Sequence, residues 1–226
     1  MSDGTENSVR ITRLGMVNTY LVREDDGLTL IDTALPGSTK TIVAAAEKLG
    51  APIVRILLTH AHGDHIGSLD ALAEELPDAE VLISARDARL LAKDKTLDPG
   101  EEVGKLRGSY PGAKTKPTRT IAPGEGVGSL QVVAAPGHTP GHIALLDGRD
   151  GTLFCGDAYS TLGGVETTAR INPLFPLPGF ATWHRPTALE SARTLRTLDP
   201  AALAPGHGKI VASPASAMDA AIDKAS

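Results

Sequence analysis

A nearly unbroken apolar run at residues 53–58 ends in Thr59 and then in His60-Ala61-His62-Gly63-Asp64-His65. A short apolar run of this kind reads as a strand buried on both faces. Histidine is sparse, yet three of the seven in the chain fall within these six positions. Directly after a strand, His60 and His62 can point the same way across an extended turn. Asp64 and His65 then turn to meet a neighbouring position. Neutral imidazole and carboxylate are donors that suit Zn²⁺, and also Fe or Mn. The plain alternative is a polar loop leading into a helix at Ser68.

Around this segment, short apolar runs alternate with helical patterns. Residues 9–14, 17–23 and 28–32 read as consecutive strands, the last two joined by a turn at Asp25-Asp26-Gly27. Ser38 is expected to cap a helix with Ile42, Val43, Ala46 and Leu49 on one face, stopped by Gly50. Ser68 is expected to start a second helix closed by Pro77, and residues 81–83 a strand. Ser84 and Asp87 resemble a capping box for the short helix that follows. In the second half, residues 130–134, 143–146, 152–155 and 201–204 read as strands. Thr187 and Glu190 are expected to form a capping box, and Ser213-Pro214 to open a terminal helix. Strands and helices thus come in two comparable groups, which suggests an α/β fold with two sheets and helices outside.

Two long segments, residues 93–120 and 158–186, break the pattern. Loops of this length in a compact domain are functional lids or disordered segments. Of seven aromatic residues, Tyr159, Phe175, Phe180 and Trp183 fall in the second segment, and Tyr110 in the first. Disordered segments are poor in aromatics. The second segment is therefore read as a packed wall beside a pocket, against the simpler reading of a loop covering a core edge.

Composition removes several function classes. The 226 residues suffice for a sizeable core and are read as one domain, 1–226. A net charge of −5 with no basic run leaves no electrostatic footprint for nucleic acid. No apolar stretch approaches the roughly 20 residues of a membrane span. Residues 1–14 lack the basic and apolar regions of a signal peptide. A lone cysteine, Cys155, cannot form an intrachain disulfide and fits a reducing compartment. A cytoplasmic protein acting on a small molecule is expected, its oligomeric state left open, a homo-oligomer included.

Three further candidates repeat the placement of the first cluster. His138 lies in Ala-Pro-Gly-His-Thr-Pro-Gly-His, Asp157 in Phe-Cys-Gly-Asp, and His207 in Ala-Pro-Gly-His-Gly. Each follows an expected strand in a glycine-rich turn that permits close approach to a ligand. Five histidines and two aspartates then converge at one end of the sheets, enough for two metal ions.

At these residues the chain resembles the metallo-β-lactamase superfamily, and the likeness covers nearly its whole length. The resemblance implies a four-layer αββα sandwich, two mixed β-sheets flanked by helices. It implies a first metal held by His60, His62 and His138. A second would be held by Asp64, His65 and His207, with Asp157 bridging. Every ligand position carries its expected residue type. In similar proteins an aspartate placed like Asp32, in Leu-Ile-Asp-Thr, accepts the second N–H of a ligand imidazole; the alternative is a turn aspartate. His142 is assigned a structural or supporting role beside the ligands, and His184 a loop position. Cys155 is read as a small buried hydrophobe rather than a nucleophile. Tyr159, two residues past Asp157, is offered as a catalytic donor to a developing oxyanion.

The chemistry that follows is a dinuclear zinc site with two Zn²⁺ sharing a water. The resulting hydroxide attacks a polarised carbonyl while Asp64 shuttles the proton. Acidic surface and modest length point away from the nucleases of the superfamily. The missing signal pattern points away from a secreted β-lactamase, and only residues 208–226 follow His207, against the longer helical extension of glyoxalase II relatives. A small lactone or thioester is expected as substrate. Two other readings stay open. One is a mononuclear iron persulfide dioxygenase, against which His65 and His207 both argue. The other is a non-catalytic metal-binding protein on the same fold.

Overall fold

A three-strand meander opens the chain: β1 (Ser8–Arg13), β2 (Val17–Glu24) and β3 (Gly27–Ile31), paired antiparallel in turn. Helix α1 (Thr39–Leu49) crosses over to β4 (Ile53–Leu57), which pairs with β3 in parallel. A one-turn helix α2 (Gly63–Ile66) and α3 (Leu69–Glu75) lead to β5 (Glu80–Ser84), and α4 (Ala85–Leu91) leads to β6 (Arg119–Ile121). These six strands form one mixed sheet in sequential order. The structure, a computed structural model, describes residues 4–102 and 104–226, so Met1, Ser2, Asp3 and Val103 of the segments read above lie outside the described residues.

The second sheet is built from β7 (Gly126–Val127), β8 (Leu130–Ala134), β9 (Ile143–Asp147) and β10 (Thr152–Gly156). After β10 a small hairpin, β11 (Tyr159–Ser160) with β12 (Glu166–Thr167), and the short α5 (Leu177–Ala181) interrupt it. Helix α6 (Arg185–Thr197) then returns the chain to β13 (Ala202–Pro205), parallel to β10, followed by β14 (Val211–Ala212) and α7 (Ala215–Ala225). The order is β14-β13-β10-β9-β8-β7.

Period-two alternation divides the apolar residues between layers. In β3 and β4, Leu28, Leu30 and Ile56 join Ile42, Leu69, Leu72 and Leu90 under the first set of helices. Their neighbours Ile31 and Leu57 face Leu130, Leu145 and Phe154 of the opposite sheet. Leu153 and Cys155 turn outward to Leu195 and Met218 of α6 and α7. The result is the αββα sandwich. Tyr20 and Phe154 meet edge to face across the sheets with ring centroids 5.1 Å apart. Removing so buried a ring, as in Phe154→Ala, costs about 3–5 kcal/mol. No helix among the described residues is long and apolar enough to cross a membrane.

Several local expectations are corrected. Ser38 and Ser68 precede their helices, but neither side chain caps its own. The Ser68 hydroxyl instead accepts the Ser38 N–H at 2.8 Å, and both hydroxyls donate to the Leu35 carbonyl at 2.7 Å. The two serines thus tie together the loops that carry Asp32 and the histidine cluster. Helix α6 begins before Thr187, so the expected Thr187–Glu190 box does not form. The His184 ring is the cap, accepting from Thr187. Ser84 does cap α4 through the Asp87 N–H, while the Asp87 carboxylate is used elsewhere.

Candidate metal centre

All seven expected ligands meet at the carboxyl ends of the central strands. His60 and His62 leave the end of β4, Asp64 and His65 sit in α2, and His138 lies between β8 and β9. Asp157 follows β10, and His207 follows β13. Three groups bring their donor atoms within 4.8 Å of one another: His60–His62–His138, His60–His65–Asp157 and Asp64–His65–His207. Close approach is built into the backbone at Gly206, where an added Cβ would collide with Asp157 Oδ1 and lie 2.6 Å from His65 Cε1.

Each imidazole spends its outer nitrogen on the protein. His65 Nδ1 donates to Asp32 Oδ2 at 2.8 Å, and His207 Nδ1 to the Met16 carbonyl at 3.0 Å. His60 Nδ1 donates to Thr59 Oγ1 at 3.0 Å; the Thr59 hydroxyl is itself committed to Asp32 at 2.8 Å. His138 Nδ1 donates to Thr182 Oγ1, and His62 Nε2 to the Arg107 carbonyl, both at 3.0 Å. The inner nitrogens are therefore Nε2 of His60, His65, His138 and His207, and Nδ1 of His62. Acceptors on the outer N–H fix each ring's tautomer and orientation, as metal-binding imidazoles require.

The inner atoms fit a cation. His60 Nε2 is buried with no hydrogen-bond partner, and His65 Nε2 and Asp157 Oδ1, equally buried, face each other at 3.3 Å without a hydrogen bond. Buried polar atoms without partners are rare and costly. His62 Nδ1 and His138 Nε2 lie 2.9 Å apart. With both outer nitrogens already donating, that pair sets two lone pairs against each other, an arrangement that a shared cation relieves. Burial, reinforced for His60 by its neighbouring histidines, keeps His60, His62 and His138 neutral, with His62 lowered to about 4. Asp157 lies 3.1 Å from His207 Nε2 and 3.3 Å from both His65 Nε2 and His138 Nε2, midway between the two groups. Burial pushes its carboxyl up, but His207 and His65 more than reverse that, and it stays ionised.

Residues beside the ligands divide into met and unmet expectations. Asp32 plays the supporting part expected of it. It accepts from the Thr59 N–H and hydroxyl as well as from His65, and does so with a left-handed backbone, φ 59°. His142 Nε2 accepts the Asp157 backbone N–H at 3.0 Å, a supporting role. Cys155 is buried, and burial pushes its thiol up, away from reactivity. Tyr159 is a correction. After Asp157 the chain turns into the β11–β12 hairpin, which drives the ring into the core under α6. Its hydroxyl donates to the Ala192 carbonyl at 2.8 Å, so it offers nothing to a substrate above the metal centre.

Three contributors escaped the sequence reading. Buried Asp87 accepts from the Ala61 N–H at 2.9 Å, and from Thr139 Oγ1 and the Gly141 N–H at 2.8 Å. It thereby joins the His60–His62 turn to the turn that carries His138. Thr182 orients His138 from the second long segment. The first long segment supplies Arg107, and sets the Tyr110 ring 4.6 Å from that of His62. Both long segments are thus walls of the site, as Phe175 also attests, its ring 5.3 Å from that of His207. Above the donors lies a cavity of about 300 Å³, with Asp64, Asp157 and His207 on its floor.

Residues 12–207 match the model of the metallo-β-lactamase superfamily. An uncharacterized protein YobT of Bacillus subtilis is 49% identical over 92% of this chain and 90% of its own length. A hydroxyacylglutathione hydrolase of Gloeobacter violaceus is 31% identical over 81% of this chain and 69% of its own. Among solved structures, TTHA1623 in a di-iron-bound form superposes with a TM-score of 0.66 at 27% identity, covering 92% of this chain and 96% of its own.

Proposed function

Because the chain belongs to the metallo-β-lactamase superfamily, we propose that it is a dinuclear zinc hydrolase of a small ester-type substrate, a lactone or a thioester. One observation carries the reading: five imidazoles with their outer nitrogens already committed gather their inner nitrogens with Asp64 and Asp157, and His62, Asp64, His138, Asp157 and His207 of that set line one cavity. A binding protein would have no need of so complete a donor set beside open space.

His60, His62 and His138 would hold one ion and Asp64, His65 and His207 the other, with Asp157 between. When bound, such ions lower the pKa of water to about 7 and polarise a carbonyl. The protein's own part is orientation and proton movement. Asp64 is the half-exposed carboxylate of the set, its Oδ2 3.4 Å from His207 Nε2. Burial pushes its carboxyl up, but His65 and His207 hold it well below the usual carboxylate range, so it is an ionised acceptor at neutral pH. Water adds across the acyl C–O or C–S bond. Its oxygen ends on the acyl carbon, and one proton passes by way of Asp64 to the leaving alkoxide or thiolate. The di-iron form of the structural relative keeps iron beside zinc among the metals to test.

The experiment is a panel of lactones, thioesters and β-lactams assayed on metal-depleted protein before and after addition of Zn²⁺, Fe²⁺ or Mn²⁺. Hydrolysis restored by metal and abolished in His62→Ala and Asp157→Ala is expected. Turnover that survives metal depletion, or either substitution, sinks the proposal.

A further inference from the structure

The large hydrophobic side chains that remain exposed among the described residues are not scattered. Leu14 and Met16 lie in the β1–β2 turn; Leu174, Leu177 and Phe180 lie in and beside α5. Leu14 is 74% exposed and Leu177 61%, values that cost solvation without a partner. Exposed apolar side chains gathered in one place mark a binding surface rather than chance. Here the place is specific. Leu14, Met16 and Leu177 line the mouth of the cavity over the metal centre, continuous with Phe175, Pro178 and Ala181 deeper in.

The polar lining is equally informative. Among the described residues, apart from the floor donors His62, Asp64, His138, Asp157 and His207, only Ser109 is polar in the lining, and no lysine or arginine lines the cavity. A substrate recognised by charged ends, such as a peptidic thioester bearing carboxylates, would find no salt-bridge partner on these walls. Arg107, in the wall segment, offers its carbonyl to His62, and the side chains of Arg13, Arg107 and Lys209, each within two positions of a lining residue, are not part of the lining.

We propose that this cavity binds an uncharged alkyl or acyl chain, so that the substrate is an aliphatic acyl ester, thioester or lactone. Its carbonyl sits over Asp64 and Asp157, and its tail lies between the β1–β2 turn and α5. The inference rests on the hydrolase reading for the reaction, but on the cavity walls alone for the tail.

The test pairs binding with turnover on the metal-loaded protein. Calorimetry with butanamide, hexanamide and octanamide, which carry the tail but no cleavable ester, should give a Kd that falls about fourfold per added methylene. The kcat/KM for 4-nitrophenyl butanoate, hexanoate and octanoate should rise in parallel. Leu14→Asn combined with Leu177→Glu, both at exposed positions, should flatten both series. A Kd independent of chain length overturns the proposal. So does tighter binding of chains ending in a carboxylate, which would assign the mouth to a cationic side chain. Chain-length-dependent amide binding without hydrolysis of any ester upholds the tail site and defeats the hydrolase reading. Hydrolysis with a flat series does the reverse.

Discussion

Asp32 Oδ2 lies 2.8 Å from His65 Nδ1, and Asp32 holds that position from a left-handed backbone with φ 59°. A non-glycine residue in this region carries strain of order 1 kcal/mol or more. The surroundings that hold it are specific: Thr59 donates twice to the carboxylate, and Thr19 Oγ1 donates to the Asp32 carbonyl at 2.6 Å. Asp32→Asn keeps size and tolerance of φ but gives up a negative acceptor. We expect metal affinity at the His65 group to fall about 10- to 100-fold, as for other groups supporting a metal-binding imidazole. Competition with a chelating dye measures it, and an unchanged affinity would sink the assignment.

Tyr159→Phe separates a core role from a catalytic one. The hydroxyl has one partner, the Ala192 carbonyl, and no path to the cavity. Turnover should stay within about twofold of the parent, while stability falls by about 1 kcal/mol for the lost hydrogen bond. A hundredfold loss of kcat with unchanged melting would return Tyr159 to the chemistry.

The difference between Asp157 and Tyr159 explains how much the sequence could disclose. Candidate ligands after β4, β8, β10 and β13 were legible because each apolar run ends in a turn containing glycine and carrying a residue of known donor chemistry. The two groups of strands and helices suggested two sheets, and the structure sets Leu30 and Ile31 on opposite faces of the first. Two residues beyond Asp157 the direction of a side chain depends on the β11–β12 hairpin, whose two-residue strands carry no periodic signal. Thr182 and Asp87 were hidden for a different reason. Thr182 meets a ring 44 positions away, and Asp87 meets groups 26, 52 and 54 positions away. Local pattern does not reach that far. The false cap at Thr187 was a competing local choice, decided by His184 being nearer the turn.

Asp87 gives the third prediction. Its carboxylate receives three donors from two ligand-bearing turns, and in Asp87→Ala two buried backbone N–H groups lose their partner. Each such loss costs about 1–3 kcal/mol. Because these turns carry His60, His62 and His138, metal affinity of the three-histidine group should fall more than that of the Asp64–His65–His207 group. The absorption spectrum of Co²⁺-substituted protein, titrated one equivalent at a time, distinguishes the two. Equal weakening of both groups would make Asp87 a stability residue only. Asp87→Asn should recover part of the loss, since one oxygen can still bridge Ala61 and Thr139.

Proton release on metal binding should also differ between the two groups, and its sign follows from the charges around them. In the metal-free protein, burial pulls the His207 imidazolium down, while Asp157, by charge and hydrogen bond, and Asp64 push it further up, to about 9. His65 is raised likewise against its burial by Asp157, Asp32 and Asp64. Both are raised above the ordinary 6.5, so the stabilisation they give metal-free protein is full below pH 6.5, and the His207 share is lost as pH rises through about 9. A metal entering that group must displace the protons, and its affinity should climb across the same window. His60, His62 and His138 are shifted the other way and are already neutral at pH 7, so the first group should release almost none. Calorimetric titration at pH 7.5 in buffers of different ionisation enthalpy counts the protons. Release confined to one of two binding events is expected; equal release from both, or none, would refute the assignment of these histidines to two unlike groups.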